Sequence, residues 1–312
     1  MSALLEIEDL WKSFTPPRKG GRRTGVGTAE RGISFSVSRG EIFGLIGPDG
    51  AGKTTLIRML ATLLLPNGGC GRLAGWDLVS DYRKIRPHLG YMPGVFSLYQ
   101  DLSVEENIRF FATLFDSRIR KNFHLISDVY APLAPYRKRM AGALSGGMKQ
   151  KLALCCVLIH RPMLLLLDEP TTGVDPVSRG ELWQALKGLA RQGVTIVVST
   201  AYMDEASMCD RIAFMRGGNL LLIDTPQGVI GRYREPLYSV SASDRRGSLL
   251  ALRQMPFVTR SVAFGDTHHV NLQPGTPVAL LIRELAKLGY AEAQVETIKP
   301  SVEDCFMAFA EV

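Results

Sequence analysis

The run Gly47-Pro48-Asp49-Gly50-Ala51-Gly52-Lys53-Thr54-Thr55 fits the phosphate-loop pattern G-x-x-x-x-G-K-[ST]. Each residue type has a task in it. Gly47, Gly50 and Gly52 let the backbone wrap so that successive N–H groups point at phosphate oxygens. Lys53 can reach the β- and γ-phosphates, and the Thr54 hydroxyl can ligate Mg²⁺. Such a loop needs a buried strand before it and a helix after it. The apolar run Ile42–Ile46 and the helical pattern over residues 54–64 stand in those places. The helix N-terminus adds a dipole that favours anions. A Gly-rich turn that merely preceded Lys-Thr would lack this context.

Two further strings complete the chemistry. Met163-Leu164-Leu165-Leu166-Leu167-Asp168-Glu169-Pro170 reads as a buried strand that delivers Asp168 to the carboxyl edge of a sheet. There Asp168 can hold Mg²⁺, directly or through water, and Glu169 can polarise an attacking water as general base. Alone, a buried strand ending in Asp-Glu is as often structural as functional, and the phosphate loop upstream decides for function. In Leu144-Ser145-Gly146-Gly147-Met148-Lys149-Gln150, a serine and two glycines open an apolar helix that runs to Ile159. Exposed N–H groups and a hydroxyl at a helix start make an anion site. Ser-Gly-Gly by itself is an ordinary turn, but here it lies between the two nucleotide motifs.

That order of motifs resembles the ATP-binding cassette (ABC) family. The resemblance covers about residues 4–232 and implies an α/β fold: a P-loop NTPase core with an antiparallel β subdomain and a helical subdomain at about 91–150. It implies ATP and Mg²⁺ as cofactors. It also implies a head-to-tail dimer, with itself or with a second, different ATPase subunit, in which Ser145, Gly146 and Gly147 close over the ATP of the opposite subunit. Thr172-Gly173-Val174-Asp175-Pro176 looks like the family's loop between the two sites. Phe14 stands at about the place of the aromatic that stacks on adenine, with Trp11 as the alternative and a core role open for either. Residues 90–115 resemble the segment that meets a membrane subunit, where Phe96, Leu98 and Tyr99 could form a groove or simply pack in the core.

Two positions depart from the family. Gly90-Tyr91-Met92-Pro93-Gly94 ends in glycine where the family usually has a metal- and water-contacting glutamine, and Gln100 is too far along to replace it. Ser199-Thr200-Ala201-Tyr202-Met203-Asp204-Glu205-Ala206 has Ala201 where a γ-phosphate-sensing histidine is usual. The phosphate loop, Asp168 and Glu169 are intact, so the rate of hydrolysis rather than ATP binding is put in doubt. None of His88, His124, His160, His268 and His269 falls at the sensor position, and no pair has i, i+4 spacing for zinc.

The elements around these residues read as a layered α/β domain. Residues 4–10 and 33–37 alternate as half-buried strands, with a Gly/Pro/Arg-rich loop over 16–31 between them. Ile42–Ile46, 164–167 and 195–199 are short buried runs, each followed by a loop and a helix, the pattern of parallel strands covered on both faces. The pattern shifts near 231–236. Beyond it, 237–242, Val258–Phe264, 268–272 and Gln294–Ile298 read as strands, and 278–288 and Val302–Ala310 as helices. This gives a nucleotide-binding domain over 1–232 and a small α+β accessory domain over 233–312.

The 312 residues suit about two domains of ~150. With 46% apolar and 21% charged residues, disorder, collagen and fibre are excluded. The longest apolar run, 152–159, falls well short of the ~20 residues of a bilayer span. Glu6, Glu8 and Asp9 contradict a secretory signal. Five cysteines without ligand spacing read as reduced thiols. A net charge of +7 suits an acidic partner, and Arg18-Lys19 with Arg22-Arg23 form a basic tract that is either a solvated loop or a patch for anionic lipid.

The expected function is that of an ATP-hydrolysing subunit on the cytoplasmic face of the inner membrane, serving a separate membrane-spanning permease. The phosphate loop, the Ser-Gly-Gly string and the ending Lys299-Pro300-Ser301-Val302-Glu303-Asp304-Cys305-Phe306 resemble export-type members that serve permeases for drugs, lipids or polysaccharides. No nucleic acid is expected. The alternatives are an ATP-binding regulator that hardly hydrolyses and a soluble ABC protein outside transport. A single phosphate loop and the lack of sustained heptads count against the second.

Overall fold

The computed structural model describes residues 3–14 and 32–310. The basic tract at Arg18-Lys19 and Arg22-Arg23 lies outside them. The chain divides into two compact units, Met1–Pro226 and Gln227–Val312, ahead of the compositional shift at 231–236.

The first unit runs β1 (Ala3–Trp11), β2 (Ile33–Ser38), β3 (Ile42–Ile46), α1 (Lys53–Leu60), β4 (Gly68–Leu73), β5 (Trp76–Asp77), α2 (Tyr82–Ile85) and β6 (Leu89–Met92). It continues with α3 (Val104–Leu114), α4 (Ile119–Tyr130), α5 (Gly146–Leu158), β7 (Leu164–Asp168), α6 (Pro176–Arg191), β8 (Thr195–Thr200), β9 (Arg211–Arg216) and β10 (Asn219–Asp224). Four strands form an antiparallel sheet in the order β2-β1-β4-β5. Six form a second sheet, β10-β9-β3-β8-β7-β6, parallel from β9 to β6 with β10 antiparallel at one edge.

Side-chain alternation assigns the faces of the second sheet. Phe43, Leu45, Leu164, Leu166, Val197, Ala213 and Met215 join one core with α1 and the antiparallel sheet. Their neighbours Ile42, Ile46, Leu165, Leu167, Ile196 and Val198 are equally buried and point to the opposite face, so both faces are covered. The four leucines of β7 are fully buried. At ~1.5–3 kcal/mol each, they hold that strand, and with it Asp168, at the centre of the sheet. The helix after the phosphate loop ends at Leu60, four residues before the apolar pattern does. The break lies at Thr62, whose φ of 58° is a left-handed conformation that a β-branched residue rarely takes. Among the described residues, no helix is long and apolar enough to cross a membrane.

The second unit opens with α7 (Pro226–Gly231) and continues with β11 (Leu237–Ser241), α8 (Arg245–Gln254), β12 (Val258–Phe264), β13 (Thr267–Leu272), α9 (Val278–Lys287), β14 (Gln294–Ile298) and α10 (Val302–Ala310). Its antiparallel sheet has the order β12-β13-β11-β14. Val240, Val270 and Leu272 pack with Leu252, Leu281 and Leu285 of α8 and α9. The α8 helix has no counterpart in the sequence reading, because Gly247 and three arginines obscure its apolar period. The cysteines are free thiols, all but Cys70 buried. Burial pushes the Cys305 thiol up to about 11, which keeps it protonated and inert at neutral pH.

Candidate functional site

The phosphate loop leaves β3 at Ile46 and turns back at once. The Gly47 N–H donates to the Thr200 carbonyl at 3.3 Å. A Cβ at Gly47 would lie 2.2 Å from the Met215 carbonyl oxygen, so no other residue fits. Gly52 caps α1 at φ 99°, open to glycine and strained for any L side chain. Pro48, Asp49 and Gly50 face solvent, while Ala51 is buried and Thr55 half-buried. Lys53 is 3% exposed, and its Nζ donates to the carbonyls of Gly47 (2.7 Å) and Pro48 (3.1 Å). The same ammonium lies 3.3 Å from Glu169 Oε1. A buried cation ringed by loop carbonyls and one carboxylate is placed to meet a second anion entering the loop.

At the end of β7, the buried Asp168 carboxylate accepts from two hydroxyls at one oxygen: Thr54 Oγ1 at 3.0 Å and Ser199 Oγ at 2.7 Å. Thr54 and Asp168 thus bring two hard oxygen donors together, the type of set that suits Mg²⁺. The Glu169 N–H donates to Ser199 Oγ (3.0 Å) and to the Ser199 carbonyl (3.1 Å). Glu169 itself sits at φ 49°. A left-handed glutamate is strained, and strain of this kind persists where neighbours over-determine the backbone. Here Ser199 does so from the adjacent strand β8, and it turns the Glu169 side chain toward Lys53 and toward Thr172, whose hydroxyl donates to Oε2 at 3.3 Å. Ser199 is a site residue that the sequence reading quoted only as part of a strand. Its burial at the parallel-strand register Asp168↔Ser199 is the signal that identifies it.

Ser145 caps α5, accepting from the Met148 N–H at 3.4 Å. Its neighbours in space are residues 173–178, not the phosphate loop. A Cβ at Gly146 would lie 3.1 Å from the Gly173 carbonyl, and one at Gly147 would lie 2.5 Å from Ser178 Oγ. Asp175 caps α6 through the Ser178 N–H at 2.9 Å. Hydrogen bonds from Ser178 hold the Asp175 carboxyl below its usual range. Ser145, Gly146, Thr172, Gly173 and Asp175 are exposed together.

Gly94 lies beside the same centre: a Cβ there would be 3.1 Å from the Asp168 carbonyl oxygen and 3.8 Å from Glu169 Cβ. Gln100 is elsewhere, packed against Gly142, so it supplies nothing at Asp168. Ala201 follows β8 directly, and the Tyr202 ring is stacked under the Arg179 guanidinium at 4.1 Å. Arg179 also faces Asp204 (3.8 Å) and the buried Glu205 (3.7 Å). Trp11 is packed over Gly68, where an added Cβ would meet the indole at 2.2 Å, whereas Phe14 is 46% exposed. Of the three apolar residues after Gly94, Leu98 is core, Phe96 lies under Lys149 and Tyr99 is exposed against Phe110.

The family described as ABC transporter matches residues 31–172. The chain is 38% identical over 280 residues to the probable multidrug ABC transporter ATP-binding protein YbhF of Escherichia coli (strain K12), covering 88% of this chain and 48% of that protein. It therefore spans about half the length of that relative. It is 34% identical to the Nod factor export ATP-binding protein I of Rhizobium sp. (strain N33), covering 88% of this chain and 90% of that one. A solved structure titled as the ATP binding subunit of an ABC transporter superposes with a TM-score of 0.63 at 27% identity, covering 73% of this chain and 92% of the other. With the phosphate loop, Asp168, Glu169 and the Ser145 helix start arranged as described, the chain belongs to the ATP-binding cassette transporter family.

Proposed function

We propose that this chain is the ATP-binding and ATP-hydrolysing subunit of an export-type transporter, working on a separate membrane-spanning permease. The observation that carries the reading is the convergence of Lys53, Thr54, Asp168 and Glu169 on one sheet edge, with successive contacts of 3.0 and 3.3 Å. Backbone N–H groups of Gly50, Gly52 and Lys53 and the Lys53 ammonium bind the phosphates. Thr54 and Asp168 hold Mg²⁺, which when bound neutralises phosphate charge. Glu169, oriented by Ser199 and Thr172, accepts a proton from the attacking water. Phe14 is the aromatic free to stack on adenine, since Trp11 is already packed.

The exposed Ser145 and Gly146, with Gly147 behind them, complete the ATP site of a second ATPase subunit, the same chain or a different one. Closure of that sandwich pulls on the permease, and product release resets it. The subunit works peripherally at the cytoplasmic face of the inner membrane. Export, rather than import, is supported by the similarity to the Nod factor export protein at 34% identity. A second reading, an ATP-bound regulator with little turnover, is favoured by one observation: Gly94 and Ala201 offer no side-chain polar group at the site. Steady-state phosphate release by the purified chain, wild type against Glu169→Gln, tests the enzyme reading. Loss of release in the variant is expected, and equal rates would overturn Glu169 as the base.

A further inference from the structure

Asn107 lies on the first turns of α3 and is fully buried. Buried asparagines are uncommon and hold their place by hydrogen bonding. This one commits its whole amide to a single loop. Its Oδ1 accepts from the Tyr99 N–H at 3.1 Å, and its Nδ2 donates among the carbonyls of Tyr99 (3.0 Å), Leu102 (3.1 Å) and Ser103 (3.0 Å). The loop it grips is the one that starts at Gly94, against Asp168 and Glu169.

The far end of that loop is tied to a second segment. Ala141 N–H donates to Leu102 O (2.9 Å) and Gly142 N–H to Gln100 O (3.0 Å). Val104 N–H donates to Arg139 O (3.0 Å) and Glu105 N–H to Arg137 O (3.0 Å), around an antiparallel bridge between Ser103 and Met140. Gln100 packs on Gly142 in the same place, at distances that leave little room for a Cβ. Ala141–Ala143 then forms one 3₁₀ turn, and Leu144 leads straight into the Ser145 cap of α5. An unbroken backbone route therefore runs from the Glu169 side of the ATP site to Ser145, and Asn107 ties its middle, at Tyr99 and Leu102, to a helix.

We infer that Asn107 is a positioning residue: it makes the loop after Gly94 and the segment before Ser145 one mechanical piece, so that the serine is presented in register. Its side-chain hydrogen bonds all go to the backbone of 99–103, none to Thr54, Asp168 or Glu169, and it acts through that backbone. The importance of that register for function rests on the proposed ATP-sandwich reading. The clamp itself does not.

The test reads the clamp directly. Hydrogen exchange is followed by mass spectrometry on the full-length chain, wild type against Asn107→Ala, with thermal melting to check folding. Loss of the amide is expected to speed exchange at least tenfold over 99–104 and, in the same variant, over 139–148, to which Asn107 makes no hydrogen bond. Exchange over 42–60 and the Kd for MgATP are expected to stay within twofold. Should Asn107→Ala fail to fold, Asn107→Ser is read the same way, because its hydroxyl can still donate to the i−4 carbonyl of Ser103 while the bonds to Tyr99 and Leu102 are lost. Faster exchange confined to 99–104, with 139–148 at wild-type rates, would overturn the inference. The outcome does not depend on dimer formation or hydrolysis, so a failure of the transporter reading is seen separately, in the behaviour of Glu169→Gln.

Discussion

At position 53 the ammonium is enclosed by the carbonyls of Gly47 and Pro48 and by Glu169, so a truncated side chain leaves those acceptors facing one another and any phosphate uncompensated. Charge-assisted bonds of this kind are worth about 1.5–3 kcal/mol. Lys53→Ala should weaken the Kd for MgATP by roughly 10- to 150-fold in calorimetry, and equal affinities would remove the phosphate-loop assignment. On the proposed reading the site is weakest at position 201. A histidine there would donate to the γ-phosphate as charge redistributes in the transition state, and alanine offers nothing. One such preorganised donor is typically worth about 10²–10³ in rate. Tyr202 does not substitute, since its ring is held under Arg179 at 4.1 Å. Ala201→His should raise kcat with KM nearly unchanged, the pattern of an interaction made only in the transition state. Gly94→Gln should help less, because its Cβ would meet the Asp168 carbonyl at 3.1 Å and the β7 edge would have to give way. Phosphate release measures both. A wild-type rate of tens per second that the added histidine leaves unchanged would show that the site compensates.

Elements differ in how plainly the sequence announces them, and the physical reasons are local. Ile42–Ile46 and Val258–Phe264 coincide with their expected spans, the first because burial on both faces leaves no other reading. By contrast β9 and β10, which close one edge of the main sheet, had no reading at all, since their pairing through the Gly217-Gly218 turn is a matter of partners rather than pattern. The phosphate loop, Asp168 and Glu169 were legible as motifs. Ser199, Asn107 and the Arg179–Glu205 contact were not, because each acts on residues distant in sequence. The same holds for α10, whose helical pattern is plain while its anchor is not: Asp304 accepts from the Ser301 N–H (2.8 Å) and hydroxyl (2.6 Å) and lies 2.6 Å from His269 Nδ1 on β13. Asp304→Ala leaves those buried partners unsatisfied, at a cost of about 1–3 kcal/mol. Its calorimetric transition for the second unit should drop by roughly 4–8 °C per kcal/mol. An unmoved transition would show that the anchor contributes nothing to the stability of α10.

Across the whole molecule, the two halves of an ATP site face different ways. Lys53, Thr54, Asp168 and Glu169 form a connected cluster, while Gly146 and Gly147 pack against Gly173 and Ser178, leaving Ser145 and Gly146 exposed. Among the described residues, Ser145 makes no hydrogen bond to the phosphate loop of its own chain, its hydroxyl accepting instead from the Met148 N–H. The start of α5, capped by Ser145, favours an anion, and on the proposed sandwich reading that anion is the nucleotide of a second subunit. Glu169→Gln should therefore bind MgATP and accumulate a nucleotide-sandwiched dimer, since the amide keeps the side chain's shape and removes the base that would end the closed state. Ser145→Arg in that background should return it to monomer by placing bulk and charge in the opposing site, with nucleotide binding to each monomer retained because residues 47–55 are untouched. Light scattering at micromolar protein with excess MgATP distinguishes the two. If Glu169→Gln stays monomeric while its calorimetric ATP affinity is normal, a pair of identical chains is not the closing unit, and the same titration with the permease or a second ATPase subunit added becomes the measurement that locates the partner.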